Sequence, residues 1–315
     1  MPRSTREIRR RINTVRSTEQ ITRAMEMVSV AKLRRAQAQV EAARRYAGRL
    51  EEIMGRLLAD PSVLKARGFD PVILQGRPTV RNVIYVVIAA DRGLAGGYNV
   101  NLLRFAANAL AREERPYRLF CAGRKGRDFF TARRYPLAGE IGFLGDTIDF
   151  AVARKLSRQL IDLLHQGEAD EVYVIYSQFL GPGREKPTLR KLLPLGAFAR
   201  TEGTPGETPN ESPGETPKNA ANEAEEEIIM VPSPATVLEM LLPRFVDTEV
   251  YLLLLEAKAS EHGARMTAMH NATENAEEMI ENLQLSYNKA RQAAITKELT
   301  EIVGGAEALT RGGGQ

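Results

Sequence analysis

The most regular pattern of apolar positions lies near the carboxyl end of the chain, between residues 260 and 303. Spacings of three and four residues alternate there over about four heptads, which is typical of a helix that supercoils against a partner helix. Most side chains at these positions are small or flexible, so we expect a looser contact than that of a leucine zipper. The positions are Met266, Met269, Thr273, Ala276, Ile280, Leu283, Tyr287, Ala290 and Ala294.

The first sixty residues predict a second long helix. Ser4-Thr5-Arg6-Glu7 has the form of a capping box, and Asp60-Pro61 is a stop signal. About 55 helical residues reach roughly 80 Å, which is wider than a single globular core. We therefore expect this helix to lie against the carboxyl-terminal one. Its apolar positions are Ile8, Ile12, Val15, Ile21, Met25, Val28, Ala31 and Ala36.

Between these helices, short apolar runs alternate with amphipathic stretches. Val83–Ala90 is nearly all apolar and rich in β-branched residues, which is typical of a strand buried on both faces of a parallel sheet. The order strand, helix, strand, helix, strand predicts a small Rossmann-like α/β domain. Further strands are predicted at Tyr117–Ala122, Glu171–Phe179 and Arg190–Leu195, and helices at Asn101–Arg112 and Thr147–Gln166.

The expected fold class is therefore mixed, α+β with α/β: a long two-helix coiled coil of the N- and C-terminal segments carries the central domain. The carboxyl-terminal helical region opens at Ser233-Pro234, Pro243 predicts a break or kink in it, and Gly304-Gly305 predicts its end. The predicted divisions are an N-terminal helix at 1–60, the α/β domain with its connector at 61–200, an insertion at 201–227, and the C-terminal helix and tail at 228–315.

The insertion differs in kind from the rest of the chain. Thr204–Glu211 (TPGETPNE) repeats as Ser212–Asn219 (SPGETPKN), and residues 201–227 contain eight Glu and no aromatic residue. Such a stretch buries too little apolar surface to order itself, so we expect a flexible acidic segment. Tandem duplication of a tolerated insertion is favoured over a binding motif.

Charge and hydropathy narrow the function classes. No apolar run approaches 18 residues and the amino end lacks an apolar signal region, so we expect a soluble, cytoplasmic chain. Residues 1–50 hold thirteen Lys/Arg and four Glu, whereas residues 256–303 hold five Lys/Arg and eight Glu. Opposite net charges favour pairing of the two helices. Nucleic-acid binding by the basic arm is disfavoured, because the basic residues surround the helix without interleaved aromatic residues.

No pattern of residues indicates catalysis by the chain alone. Asp91–Asn99 (DRGLAGGYN) is the best candidate, since a glycine-rich turn between strand and helix can cradle phosphate. It matches neither the dinucleotide fingerprint nor the phosphate loop, so tight backbone packing is the favoured interpretation. Neither a cofactor nor a metal is expected, because one cysteine, Cys121, cannot build a zinc site and the histidines lack metal-binding spacing. The histidines are His165, His262 and His270.

Three separated stretches resemble one family, the gamma subunits of rotary F-type ATP synthases. They are Ile12–Gln37 (INTVRSTEQITRAMEMVSVAKLRRAQ), Asp91–Asn99, and Ile295–Ala308 (ITKELTEIVGGAEA). Leu283–Ala294 (LQLSYNKARQAA) is also similar to the family. The resemblance extends over nearly the whole chain except 201–227.

The resemblance implies a non-catalytic central rotor shaft, present once per complex. Its terminal helices would form an antiparallel coiled coil inside a ring of three alpha and three beta subunits. The α/β domain would contact the epsilon subunit and the membrane c-ring. The shaft would couple proton flow to the conformational cycle of the catalytic beta subunits, in ATP synthesis or hydrolysis, and regulate ATPase activity. It would lie at the cytoplasmic face of the bacterial membrane, or at the thylakoid membrane in a photosynthetic source.

The resemblance also implies contact residues. Arg291 and Gln292 would touch the catch loops of beta, and Arg23 and Met25 would face the same region from the N-terminal helix. Glu298 and Glu301 would bond to the basic N-terminal helix or to beta. Two alternatives stay open: a stand-alone nucleotide- or nucleic-acid-binding α/β module with a coiled-coil arm, and an acidic insertion that restrains ATP hydrolysis.

Overall fold

The computed structural model describes residues 5–59, 71–196 and 233–312. Ser4, Asp60-Pro61 and the acidic insertion lie outside the described residues, so the predictions made for them stay untested. In chain order the elements are α1 (Thr5–Ala59), α2 (Pro71–Gln75), β1 (Val83–Ile88), α3 (Tyr98–Leu110), β2 (Tyr117–Ala122), α4 (Arg124–Ala132), β3 (Leu137–Ile141), α5 (Phe150–His165), β4 (Glu171–Gly181), β5 (Arg184–Leu193) and α6 (Pro234–Gly312).

The central sheet has the strand order β3-β2-β1-β4-β5. Its first four strands are parallel, and β5 runs antiparallel to β4 at one edge. All six residues of β1 are buried, as its continuous apolar run predicts. The predicted strands β1, β2 and β4 are confirmed, and the fourth predicted strand is present as the longer β5. The sequence analysis missed β3, a short half-exposed edge strand with little apolar pattern.

The two faces of the sheet bury two different sets of side chains. Ile84, Val86 and Ile88 point towards α5 and α6, while the alternate positions of β1 face α3 and α4. Cys121 of β2 lies in the second of these cores, and burial raises the pKa of its thiol to about 12. A thiol in that environment stays protonated and packs as a small apolar side chain.

Helix α6 is 79 residues long and begins as predicted. Ser233 Oγ accepts the backbone N–H of Thr236 at 3.2 Å, and Pro234 is the first helical residue. The predicted end at Gly304-Gly305 is wrong, because α6 continues to Gly312.

The helix also continues through Pro243, so the predicted break does not occur. Pro243 itself is exposed, whereas Leu242 and Phe245 beside it are buried in the core. Proline cannot donate one of the helical backbone hydrogen bonds, and the apolar contacts of Leu242 and Phe245 compensate for this loss.

Residues 252–264 of α6 are buried throughout, and several of them are charged. Lys258 and Arg265 each approach a carboxylate oxygen of Glu261 at 2.7 Å. Burial alone would raise the pKa of Glu261, but these two cations outweigh it and lower the pKa. Glu261 therefore keeps its negative charge although water is excluded.

His262 adjoins this group and is almost completely buried. Its Nε2 lies 3.4 Å from the carbonyl oxygen of Asp146, and its Nδ1 lies 3.5 Å from Nη1 of Arg265. One ring nitrogen donates and the other accepts, which requires the neutral imidazole. Burial lowers the pKa of His262 to about 4, and the nearby Glu261 carboxylate only partly opposes the shift.

Gly123 allows the end of β2 to pass close to β1. Its φ is +96°, and a Cβ there would lie 2.0 Å from the carbonyl oxygen of Ala89. We expect Gly123→Ala to lower the free energy of unfolding by roughly 3 kcal/mol, through backbone strain and this overlap. Gly48→Ala is the control: no atom approaches that site within 4 Å, and alanine should stabilise α1 there. Denaturant unfolding of the full-length chain measures both, and equal unfolding midpoints would contradict the argument.

We expect the burial of neutral His262 to make stability depend on pH. An unfolded histidine binds a proton below about pH 6.5 and folded His262 only below about pH 4, so acid favours unfolding in this interval. Relative to His262→Gln, the wild-type chain should lose up to roughly 3 kcal/mol between pH 7 and pH 4. Denaturant unfolding at several pH values measures the difference, and parallel profiles of the two proteins would refute it.

Candidate functional site

The glycine-rich turn lies at the carboxyl edge of the sheet, where α/β proteins commonly bind ligands. The carboxylate of Asp91 accepts backbone N–H groups from Arg124 at 3.2 Å, Leu144 at 3.0 Å and Gly145 at 3.1 Å. Asp91 thereby joins the end of β1 to the β2–α4 turn and to the β3–α5 loop. The favoured interpretation of this turn, tight backbone packing, agrees with this geometry.

Tyr98 connects the same turn to α6. Its hydroxyl donates to the carbonyl oxygen of Ala257 at 3.1 Å, and its ring is buried beside Ala95 and Ala264. Burial raises the pKa of Tyr98, so the hydroxyl remains a hydrogen-bond donor. The turn therefore fixes the position of the sheet on the long helix.

Helices α1 and α6 run antiparallel, in agreement with the resemblance. Thr22 and Thr273 meet with their Oγ1 atoms 2.8 Å apart, while Glu26, further along α1, meets His270, which precedes Thr273 on α6, at 3.0 Å. The predicted seam of α6 is buried or half-buried from Met266 to Ala290. Ala294 is exposed. It lies beyond Thr5, the first described residue of the antiparallel helix α1.

The seam on α1 passes through polar residues in its middle. Its positions alternate by four and three along the whole helix, but between residues 19 and 29 they are Glu19, Thr22, Glu26 and Ser29. The predicted seam residues Ile21, Val28 and Ala31 are exposed instead. The reason is the phase of the heptads, which the apolar contacts of the second half of α1 determine. Those contacts come from Leu33, Ala36, Val40, Ala43, Ala47, Leu50, Met54 and Leu57.

A groove lies beside this polar part of the seam and encloses about 420 Å³. Ile21, Met25 and Val28 of α1 form its apolar wall. The opposite wall comes from the glycine-rich turn at 92–94 and from Asp146, His262 and Arg265. Sequence analysis found Met25 but missed the opposite wall, since those residues come from three separate segments with no shared spacing.

The end of α6 has no covering element among the described residues. Every side chain from 291 to 303 is exposed, and we call this stretch the exposed end of α6. Ile295, Leu299, Ile302 and Val303 follow one another at helical spacing, so they form an apolar stripe along it. A single helix with such a stripe in water is an incomplete structure.

The structure places the six predicted contact residues in two regions. Arg23, half-exposed, pairs with Glu277 across the seam and with Glu19 on its own helix, and Met25 lines the groove. The other four residues belong to the exposed end of α6, and Glu301 approaches Lys297 there at 3.6 Å. Because Arg23 faces Glu277, Arg291 lies about 21 Å further along the helix. These four residues are Arg291, Gln292, Glu298 and Glu301.

No group of three or more His, Cys, Asp or Glu side chains in the described ranges could hold a metal ion. No helix within the same residues is long and apolar enough to cross a membrane.

Comparison with known proteins assigns the family. A family model described as ATP synthase matches residues 4–309. The ATP synthase gamma chain of Moorella thermoacetica is 48% identical over 306 residues, which cover 96% of this chain and 98% of the relative. That of Symbiobacterium thermophilum is 46% identical over 313 residues, 98% of this chain and 99% of the relative.

Solved structures show the same fold. One chain of the Euglena gracilis mitochondrial ATP synthase (OSCP/F1/c-ring) superposes with a TM-score of 0.64 at 18% identity, covering 99% of this chain and 96% of that chain. A chain of the Tetrahymena thermophila central stalk/c-ring structure gives 0.56 at 23% identity, covering 80% and 99%. With a near-complete family match and relatives above 40% identity, the chain belongs to the ATP synthase gamma chain family.

Proposed function

We propose that this chain, a non-catalytic subunit of ATP synthase, is the central rotor shaft that couples proton flow to ATP synthesis and hydrolysis. The observation that supports this most strongly is the exposed end of α6, with its uncovered apolar stripe. A single exposed helix of this length is marginal in water, so a surrounding partner is required to stabilise it. A ring of alpha and beta subunits around the stripe meets that requirement.

The outer surface of the shaft beside the groove has the properties of a surface that beta could slide past. Its charged pairs, Arg23 with Glu277 and Glu26 with His270, are 25–55% exposed, so each contributes little to stability. Met25 in the adjacent groove is a flexible side chain that adapts to different neighbours. Weak adaptable contacts let the shaft pass each beta subunit, whereas a deep hot spot would hold it at one angle. Each angle would then stabilise a different conformation of beta.

We assign the six contact residues to this surface. Arg291 and Gln292 would touch beta at the base of the exposed end, and Glu298 and Glu301 would do so further along it. Met25 would contact beta from the groove. Arg23 is already paired with Glu277 and Glu19, so its proposed role includes holding the seam together beside that contact.

Each segment of the chain would form a different part of the rotor. Residues 1–60 and 228–315 would form the shaft, 61–200 the α/β domain, and 201–227 a tolerated acidic insertion. The α/β domain would contact the epsilon subunit and the c-ring at the cytoplasmic face of the membrane. The stand-alone nucleotide-binding alternative loses support, because the carboxylate of Asp91 occupies the loop edge that would otherwise receive phosphate.

We expect Met25→Lys to impair coupling, because the added cation could pair with an acidic loop of beta and resist rotation. In membrane vesicles containing the whole complex, proton pumping per ATP hydrolysed should fall several-fold. Met27→Lys is the matched control, since Met27 lies on the same helix, is 66% exposed and does not line the groove. Equal pumping in the two variants would contradict a role for the groove.

A further inference from the structure

Helix α6 is the main link between the sheet and α1. It contacts α5, β4 and β5 on one side and α1 on the other, whereas α6 is the one element with which α1 makes extensive contact in the described ranges. Most of a turning force that reaches the α/β domain would therefore pass through α6 before it reaches α1, beside the direct ion pair of Lys32 on α1 with Asp146 at 2.8 Å. The contacts on both sides of α6 decide how firmly that force is transmitted.

Contacts at this crossing are mostly apolar. Alanines of α1 lie in the same core as alanines and leucines of α6, together with larger side chains of α1. Burial of such surface is non-directional, and small side chains interlock only shallowly, so these contacts resist separation better than sliding. The residues are Ala43, Ala47, Leu252, Ala257 and Ala259.

Two buried carboxylates interrupt this apolar surface. Glu256 Oε1 lies 2.6 Å from Nη2 of Arg44 on α1, and Glu249 Oε2 lies 2.7 Å from Nη2 of Arg190 on β5. The carboxylates are less than a tenth exposed, while both arginines are about half-exposed. Because Glu249 and Glu256 are seven residues apart, both lie on the same face of α6, along the edge where α1 and β5 both approach the helix.

Tyr176 of β4 lies near both pairs. Burial raises the pKa of its hydroxyl to about 12, with Glu256 adding to the shift and Arg190 opposing it, so the hydroxyl stays neutral. Burial also raises the pKa of Glu249, and the positive charge of Arg190 offsets only part of this rise. The resulting network contacts α1, α6, β4 and β5, and ion pairs of this kind are known to fix the register of packed helices.

We propose that Glu249 and Glu256 are positioning residues that fix α6 against the sheet and against α1, so that torque passes between the α/β domain and the coiled coil without sliding. This rests on the proposed function as a rotor shaft. Arg44, Arg190 and Tyr176 supply the partners. The network matters under load, when the c-ring and the catalytic ring pull in opposite directions, and much less when the shaft turns freely.

The test uses the whole complex in vesicles and the isosteric variant Glu256→Gln, alone and with Glu249→Gln. Unloaded ATP hydrolysis, measured with an uncoupler, should stay close to wild type. The pH gradient that ATP-driven pumping builds should fall to about half or less, because the neutral amide removes the ion pair. Glu239→Gln, an exposed carboxylate on the same helix, is the control and should leave the gradient unchanged. A wild-type gradient in the double variant would overturn the proposal.

A disulfide between α1 and α6 distinguishes sliding of the two helices from a general loss of structure in the Glu256→Gln variant. Thr22→Cys with Thr273→Cys places two thiols where the hydroxyl oxygens are 2.8 Å apart, and native Cys121 is buried and stays protonated. In the Glu256→Gln background, oxidation should restore the gradient and reduction should abolish the gain. A loss that oxidation does not restore would also overturn the proposal. The rotor function itself would fail differently, if a complex assembled without this chain pumped protons at the wild-type rate.

Discussion

The contact between α1 and α6 is the constraint on which the rest of the structure depends. Helix α1 has 55 residues and buries a stripe along almost its whole length, yet its extensive contact within the described ranges is with α6 alone. Helix α6 must therefore satisfy two neighbours, α1 on one side and the sheet with α5 on the other. This explains why residues 252–264 are buried on every side, as a fully apolar helix segment would be.

The packing of the two helices changes along their length, with a polar middle between Ile12 and Leu33 of α1. Near the sheet, leucines and alanines of both helices lie in one apolar core. Beyond Met266 the seam becomes polar on the α1 side, with Thr22 and Thr273 in direct contact. From residue 291 to residue 303, every described side chain of α6 is exposed. A shaft that is fixed to the α/β domain at one end and exposed at the other can be turned at the α/β domain while partner subunits contact the exposed end.

The sequence predicted an element correctly where the residues that its local pattern marks as apolar are also the ones that the fold buries. The continuous apolar run of β1 and the heptads of α6 are such cases, since each element buries what its own residues predict. It failed at Ile21 and Val28, because the heptad phase at that point is determined by residues 33–57 rather than by nearby hydrophobicity. The groove was only half predictable, since Met25 belongs to a motif but Asp146 and His262 reach it through tertiary folding.

Among the described residues, α6 has four buried carboxylates; three of them meet a cation, and the fourth, Asp247, accepts from the hydroxyl of Ser157. Glu261 has Lys258 and Arg265, Glu256 has Arg44, and Glu249 has Arg190. Such pairs contribute less to stability than apolar packing of the same volume, but they hold elements in a single alignment. We therefore infer that the two helices and the sheet turn together as one body.

The most direct measurement of that claim is ATP hydrolysis by the assembled complex carrying Thr22→Cys and Thr273→Cys. If the helices turn as one body, closing the disulfide between them leaves the hydrolysis rate unchanged, because the bond lies entirely within the rotating part. Arrest of hydrolysis on oxidation, reversed by reduction, would show that α1 and α6 move past each other during turnover and would contradict the account.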